Sequence, residues 1–140
     1  MTVKVGVPGE TAADETRVAL TPPVAQRLIN RGHEVVIAAG AGTDADWSDT
    51  QYADAGCDVV ERRRSVFDRS DVILQIRSLG AVSDTQVDPY REGQTLIGLL
   101  GPYNITDQTL DALAERRVSA FALELLPRIG RAQSMDVLTS

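Results

Sequence analysis

The chain is poor in the residues that acid–base, thiol and metal chemistry require. Its 140 residues include one histidine, one cysteine and one lysine. A single cysteine, Cys57, excludes an internal disulfide and says little about compartment. It follows Gly56 and enters a strand-like run, where a small buried thiol is expected rather than a nucleophile. No Ser-His-Asp set is possible beyond His33, and no metal-ligating cluster is visible in the sequence. The pattern H-E-x-x-H is also incomplete, since Ile37 stands where the second histidine belongs. His33 is therefore expected to cap or sit at the surface. No apolar run approaches the roughly 20 residues needed to cross a bilayer. Met1 leads straight into Val3-Lys4-Val5-Gly6-Val7, which reads as a strand and not as a signal peptide, so a cytoplasmic home is expected. Excess positive charge is also lacking. The net charge is −6 and the pI about 4.7, which argues against nonspecific nucleic-acid binding. The acidic, lysine-poor surface fits either high-salt adaptation or an arginine-biased genome.

Apolar residues make up 43% of the chain and are spread along it, enough for one domain with its own core. Six strand-like runs are expected, at Val3–Val7, Glu34–Ala38, Asp58–Val60, Val72–Ile76, Thr95–Leu100 and Val118–Leu123. Helices are expected between them. Thr21-Pro22-Pro23 opens one through Arg31, with threonine as N-cap and proline in the first turn. Val24 and Leu28 would share its inner face. Ser48-Asp49 opens a short helix closed by Gly56. Ser65–Arg69 is another, and Thr106–Arg116 a fourth, with Leu110, Leu113 and Ala114 inward. Strands alternating with helices imply an α/β fold: three layers, a mostly parallel open sheet and helices on both faces, a flavodoxin-like or Rossmann-like lobe. Continuous apolar runs such as Val72-Ile73-Leu74 and Phe121-Ala122-Leu123 suit strands covered on both sides.

Gly40-Ala41-Gly42-Thr43-Asp44-Ala45 matches G-x-G-x-x-G/A after a strand. Such a loop needs a helix starting there, with its N–H groups aimed at pyrophosphate. Asp44, Asp46 and Asp49 put like charge in that place, and no amphipathic helix begins before Ser48. A glycine-rich turn is expected, with Trp47 and Tyr52 packed over it. Arg17 follows a polar loop after the first strand. It suits a carboxylate clamp, or a bridge to Glu10, Asp14 or Glu15. Arg62-Arg63-Arg64 reads as a solvated run.

The chain's last segment is its most distinctive. Pro127-Arg128-Ile129-Gly130-Arg131-Ala132-Gln133-Ser134-Met135-Asp136-Val137-Leu138-Thr139-Ser140 is rich in hydrogen-bonding groups and poor in core formers. It suits a loop that meets a polar, partly anionic ligand, or the opening of an interdomain connection. Val5-Gly6-Val7-Pro8-Gly9-Glu10, Glu15-Thr16-Arg17-Val18-Ala19-Leu20-Thr21-Pro22, Gly32-His33-Glu34-Val35 and Gly40-Ala41-Gly42 together resemble the N-terminal signature of the alanine dehydrogenase and nicotinamide nucleotide transhydrogenase family. Pro127 to Asp136 resembles the loop typical of the transhydrogenase branch.

That resemblance implies residues 1–126 as the N-terminal lobe, and 127–140 as a nicotinamide-facing loop and the start of an interdomain helix. The NAD(H)-binding Rossmann domain of the family would lie outside this chain. By motif position, Arg128 would contact the nicotinamide end of NAD, and Gln133 would bridge toward the NADP(H) ribose. Asp136 would bond the nicotinamide ribose or hold Arg128. Thr139, where serine is usual, and Ser140 would lie near the carboxamide. Implied partners are an NADP-binding domain or beta subunit, a membrane subunit reached through it, and a second copy in a homodimer. The location implied is the inner face of the membrane. Two alternatives stay open. One is an alanine dehydrogenase-like lobe. An ungapped reading puts Gln75 at that branch's substrate-lysine position and Gly101 at its catalytic-histidine position, and neither can do the work, although a shift would bring Arg77 to the lysine position. The other is a non-catalytic module that keeps the fold.

Overall fold

The computed structural model describes residues 1–83 and 85–126. Six strands are formed: β1 (Lys4–Val7), β2 (Glu34–Ala38), β3 (Asp58–Val60), β4 (Val72–Arg77), β5 (Thr95–Leu99) and β6 (Ser119–Ala122). Four α-helices accompany them: α1 (Pro22–Asn30), α2 (Asp49–Asp54), α3 (Arg63–Arg69) and α4 (Asp107–Glu115). The strands make one sheet in the order β3-β2-β1-β4-β5-β6, and every pairing is parallel. The expected three-layer α/β sheet is thus present, in the doubly wound Rossmann order and not the flavodoxin order.

The pleat explains the layers. Alternate residues of a strand face opposite sides. On β2, Val35 and Ile37 join the core with Ala25 of α1 and Tyr52 of α2. Val36 and Ala38 join a second core with Val66 and Phe67 of α3, Ile73 of β4 and Leu113 of α4. Two helices therefore cover each face.

Local signals account for the helix ends. Pro22 and Pro23 open α1, where a missing N–H costs nothing, although the Thr21 side chain makes no capping bond. Ser48 and Gln51 form a reciprocal capping box at α2. The Thr106 hydroxyl accepts from Thr109 N–H at α4. His33 takes the expected capping role: its Nδ1 accepts the Val3 N–H at 3.1 Å, tying the loop before β2 to the start of β1.

Several inward assignments need correction. Val24 of α1 is 43% exposed, while Ala25 is fully buried. The helix starts at Pro22 behind Thr21 as expected, but the row it lays on the sheet runs through Pro22 and Ala25, one position round from Val24. On α4, Leu113 alone is buried. Leu110 and Ala114 are exposed, because α4 lies at the sheet's margin with only one row in contact. Phe121 is 58% exposed, so β6 is an edge strand uncovered on one side. The run after it does not extend it, since Leu123–Leu125 is a 3₁₀ turn. Arg63 is not solvated like its neighbours Arg62 and Arg64: α3 begins at it, two residues before the expected Ser65, and turns it inward.

Candidate functional site

The crossovers after β1 and β2 use one face of the sheet, and those after β3 and β5 use the other. The direction of winding reverses between β1 and β4, and a crevice is expected above their carboxyl ends, where open α/β sheets collect ligands. This chain fills that crevice itself. β1 pairs with β4 only at Val5↔Val72 and Gly6↔Ile73, which leaves the last part of β4 without a strand partner on that side. Glu10 arrives from the loop after β1. Its carboxylate accepts the N–H groups of Ile76 and Arg77, each at 2.8 Å. Burial raises the Glu10 pKa; the two N–H bonds offset part of this, and the charge of Glu15 adds to it.

Glu15 is 7% exposed and gathers cations. Arg17 donates to it from its backbone N–H (3.0 Å), its Nε (2.9 Å) and its Nη2 (2.8 Å). Arg77 approaches the same carboxylate at 3.9 Å and pairs with Asp14 at 3.2 Å. These partners lower the Glu15 pKa, the Arg17 hydrogen bond most, and the same bond raises that of Arg17. Of the two roles open to Arg17, the bridge is the one formed. The β4 side chain that meets this cluster is Arg77. Gln75 is turned away and buried, accepting from the Tyr90 hydroxyl at 2.8 Å.

A cleft of about 330 Å³ lies beside the cluster, bounded by Glu10, Thr11, Glu15, Arg17, Gly40 and Asp44. Three carboxylates on its wall disfavour a pyrophosphate. The glycine loop is closed to one as well. Gly40 N–H donates to Asp49 Oδ1 at 2.8 Å, and Gly42 lies under Tyr52, where a Cβ would come within 2.6 Å of the ring. A 3₁₀ turn follows at Thr43–Ala45, not a long helix. The expected glycine-rich turn is what forms, and the described residues do not fit a dinucleotide in this crevice.

Gly101, two residues beyond β5, lies in the left-handed region at φ +53°, and a Cβ there would lie 2.6 Å from the Gly80 carbonyl carbon. A histidine cannot occupy this position without moving the backbone. Beside it, Glu124 repeats what Glu10 does at β4: its two oxygens accept the N–H groups of Leu100 and Gly101, each at 3.0 Å. Sequence reading missed this carboxylate, whose only signal was an acid inside an apolar run. Cys57 is 8% exposed, and burial pushes its thiol up to about 11, as suits a structural cysteine. Arg128, Gln133, Asp136, Thr139 and Ser140 lie outside the described residues.

Residues 6–140 match the family model described as alanine dehydrogenase/PNT, N-terminal domain. The chain is 36% identical over 99% of its length to the NAD(P) transhydrogenase subunit alpha of Cereibacter sphaeroides, covering 26% of that protein. A crystal structure of transhydrogenase from Sinorhizobium meliloti superposes with a TM-score of 0.84 and 36% identity, over 96% of this chain and 39% of that one. An L-alanine dehydrogenase structure follows, with a TM-score of 0.77 and 26% identity, over 86% of this chain and 32% of that one. The chain spans only about a quarter to a third of the length of the curated transhydrogenase relatives it matches. Among the described residues no helix is long and apolar enough to cross a membrane. With the doubly wound order, the filled crevice and the match from residue 6 to residue 140 in hand, the chain belongs to the alanine dehydrogenase/PNT N-terminal domain family.

Proposed function

We propose that this lobe is the N-terminal part of a proton-translocating NAD(P) transhydrogenase alpha subunit, positioning NAD(H) that is bound mainly by a separate Rossmann domain. The observation that carries the reading is 36% identity along 99% of the chain to a transhydrogenase alpha subunit. The site geometry supports it. A crevice closed by Glu10 holds no dinucleotide of its own, so the lobe acts by positioning.

Bound nicotinamides supply the hydride chemistry, donor ring to acceptor ring, and no acid–base group is required of the protein. The chain's contribution lies in residues 127–140. Arg128 contacts the nicotinamide end of NAD, Gln133 reaches toward the NADP side, and Asp136, Thr139 and Ser140 hold the ribose and carboxamide. Partners are the Rossmann domain, an NADP-binding domain or beta subunit and a second copy of the chain, assembled at the inner face of the membrane.

The test is hydride transfer in a reconstituted complex of this chain, a Rossmann-domain partner and an NADP-binding domain. NADH should reduce an NADP analogue. Gln133→Asn should cut turnover by about tenfold or more while NADH affinity changes little. A variant as fast as wild type removes Gln133 from ring alignment. No turnover in a demonstrably assembled complex moves the reading to a non-catalytic module.

One observation favours an alanine dehydrogenase-like reading: Arg77 and Arg17 meet at one carboxylate. Both cations are already committed to Glu15 and Asp14, which leaves no free clamp for a substrate carboxylate. Alanine-dependent reduction of NAD⁺ by the same complex would reverse that judgement.

A further inference from the structure

A second, smaller cavity lies on the far side of Thr11 from the acidic cleft. It encloses about 70 Å³ between the start of α3, the end of β4 and the segment before β5. Arg63, Phe67, Gln75, Ser78 and Tyr90 supply most of its character. That volume holds about two waters or one small polyatomic anion, and it is far below the several hundred Å³ that a nucleotide needs.

Its charge is unbalanced. Arg63 lies over the Phe67 ring, with Cζ 5.0 Å from the centroid. Phe67 is itself fixed edge-on by Tyr90, the centroids 5.2 Å apart. Arg63 makes no ion pair among the described residues. Its Nε is buried without an acceptor. Glu10 is the nearby anion, but its two oxygens are engaged by Ile76 and Arg77 N–H groups. Burial lowers the Arg63 pKa, as expected of a cation poorly compensated by its surroundings.

Three of the remaining polar groups bond to one another. Tyr90 donates to Gln75 Oε1 at 2.8 Å. That hydroxyl has one proton, so the 2.9 Å contact with Ser78 is Ser78 donating to Tyr90. The Gln75 carboxamide nitrogen is left as a donor. The cavity thus offers a planar cation and an amide donor, its acceptors are the neutral oxygens of residues such as Thr11, Ser78 and Gln86, and no carboxylate among the described residues lines it.

We propose that this cavity is a small-oxyanion site, in which the Arg63 guanidinium, held over Phe67, pairs with a carboxylate or phosphate oxygen and the Gln75 amide donates a second bond. The site does not use the Arg17–Glu15–Arg77 cluster, and it stands whether or not the lobe works in hydride transfer. A guanidinium fork matches either oxyanion; the two sources separate by shape.

The test is titration of the 140-residue chain with sodium phosphate and, separately, with sodium acetate, at ionic strength held constant with sodium chloride. The Arg63 Nε–H resonance is followed by ¹H–¹⁵N NMR, and thermal stability in parallel. The expected result is a saturable shift of that resonance and a saturable rise in Tm with at least one of the two anions. Response to phosphate alone identifies a tetrahedral ligand, and response to acetate alone a carboxylate; either supports the site. Arg63→Met should weaken binding by about tenfold or more, and in chloride alone it should be no less stable than wild type, because it removes an uncompensated cation. Arg17→Met should leave the anion response unchanged. An Nε–H resonance that neither anion moves overturns the proposal, as does an anion response equal in Arg63→Met and wild type. If Arg63→Met fails to fold, the wild-type resonance decides alone.

Discussion

The interior of the sheet and its β6 margin solve the same problem to different degrees. In β1, β2 and their helices, alternate side chains are buried on both faces; Val7, Val35 and Ile37 are at most 2% exposed. At the other end, β6 leaves Phe121 largely exposed, and α4 buries only Leu113. Yet the strand exits are finished alike. Glu10 caps two N–H groups at the end of β4, and Glu124 caps two at the end of β5. Ile73 of β4 and Leu96 of β5 are fully buried, so packing thins at the β6 margin, while backbone satisfaction is kept throughout. An unpaired strand end is costly wherever it lies, whereas an apolar side chain left exposed at an edge costs little.

Substitutions can break that contrast. The largest effect is expected for Ile37→Ala, which empties a site 1% exposed. It should lose about 2–5 kcal/mol in urea denaturation, with m unchanged. Gly101→Ala comes next. The left-handed φ and the close Gly80 backbone should together cost about 2–4 kcal/mol. Glu10→Ala strips two N–H groups of their acceptor and should cost about 1–3 kcal/mol. Phe121→Ala should cost less than about 1 kcal/mol. If Phe121→Ala matched Ile37→Ala in the same assay, interior and margin would not differ as described.

Acid titration sharpens the comparison between the two neighbouring carboxylates. The folded state lowers the Glu15 pKa, so its stabilisation is present above the ordinary carboxylate pKa and is lost as pH falls through the lower folded value. Glu10 runs the other way. Its folded pKa is raised, so its proton favours folding at low pH, and that contribution fades as pH climbs from the ordinary value through the folded one. Glu15→Gln should flatten the acid limb of a urea-midpoint profile. Glu10→Gln should remove the decline just above the ordinary carboxylate pKa. Superimposable profiles for the two variants would contradict these opposite signs.

Much of the fold was legible because both of its periodicities were clean. Val35-Val36-Ile37 reads as a strand covered on both sides, and Ser48 with Gln51 reads as a cap. What escaped the sequence depended on position in space. Nothing local says that α4 and β6 lie at a margin, so Leu110, Ala114 and Phe121 were assigned to the interior. The three arginines from Arg62 to Arg64 look alike until α3 begins at Arg63 and turns that one over Phe67. At the site, Arg17 and its acidic partners were visible as candidates, but the choice of Glu15 needed three converging donors. The engagement of Glu10 joins residues 66 and 67 positions apart, beyond the reach of any local pattern. An ungapped reading singled out Gln75 on β4, while the chain brings Arg77 to the cluster.

The buried Cys57 makes the chain a ready background for site-directed labelling. A thiol pushed up to about 11 by burial is far less ionised at neutral pH than a free cysteine, and burial slows its reaction further. A second cysteine placed at Phe121 would take a fluorophore almost alone. Its emission would then report, in a reconstituted assembly, whether the bare flank of β6 stays in water.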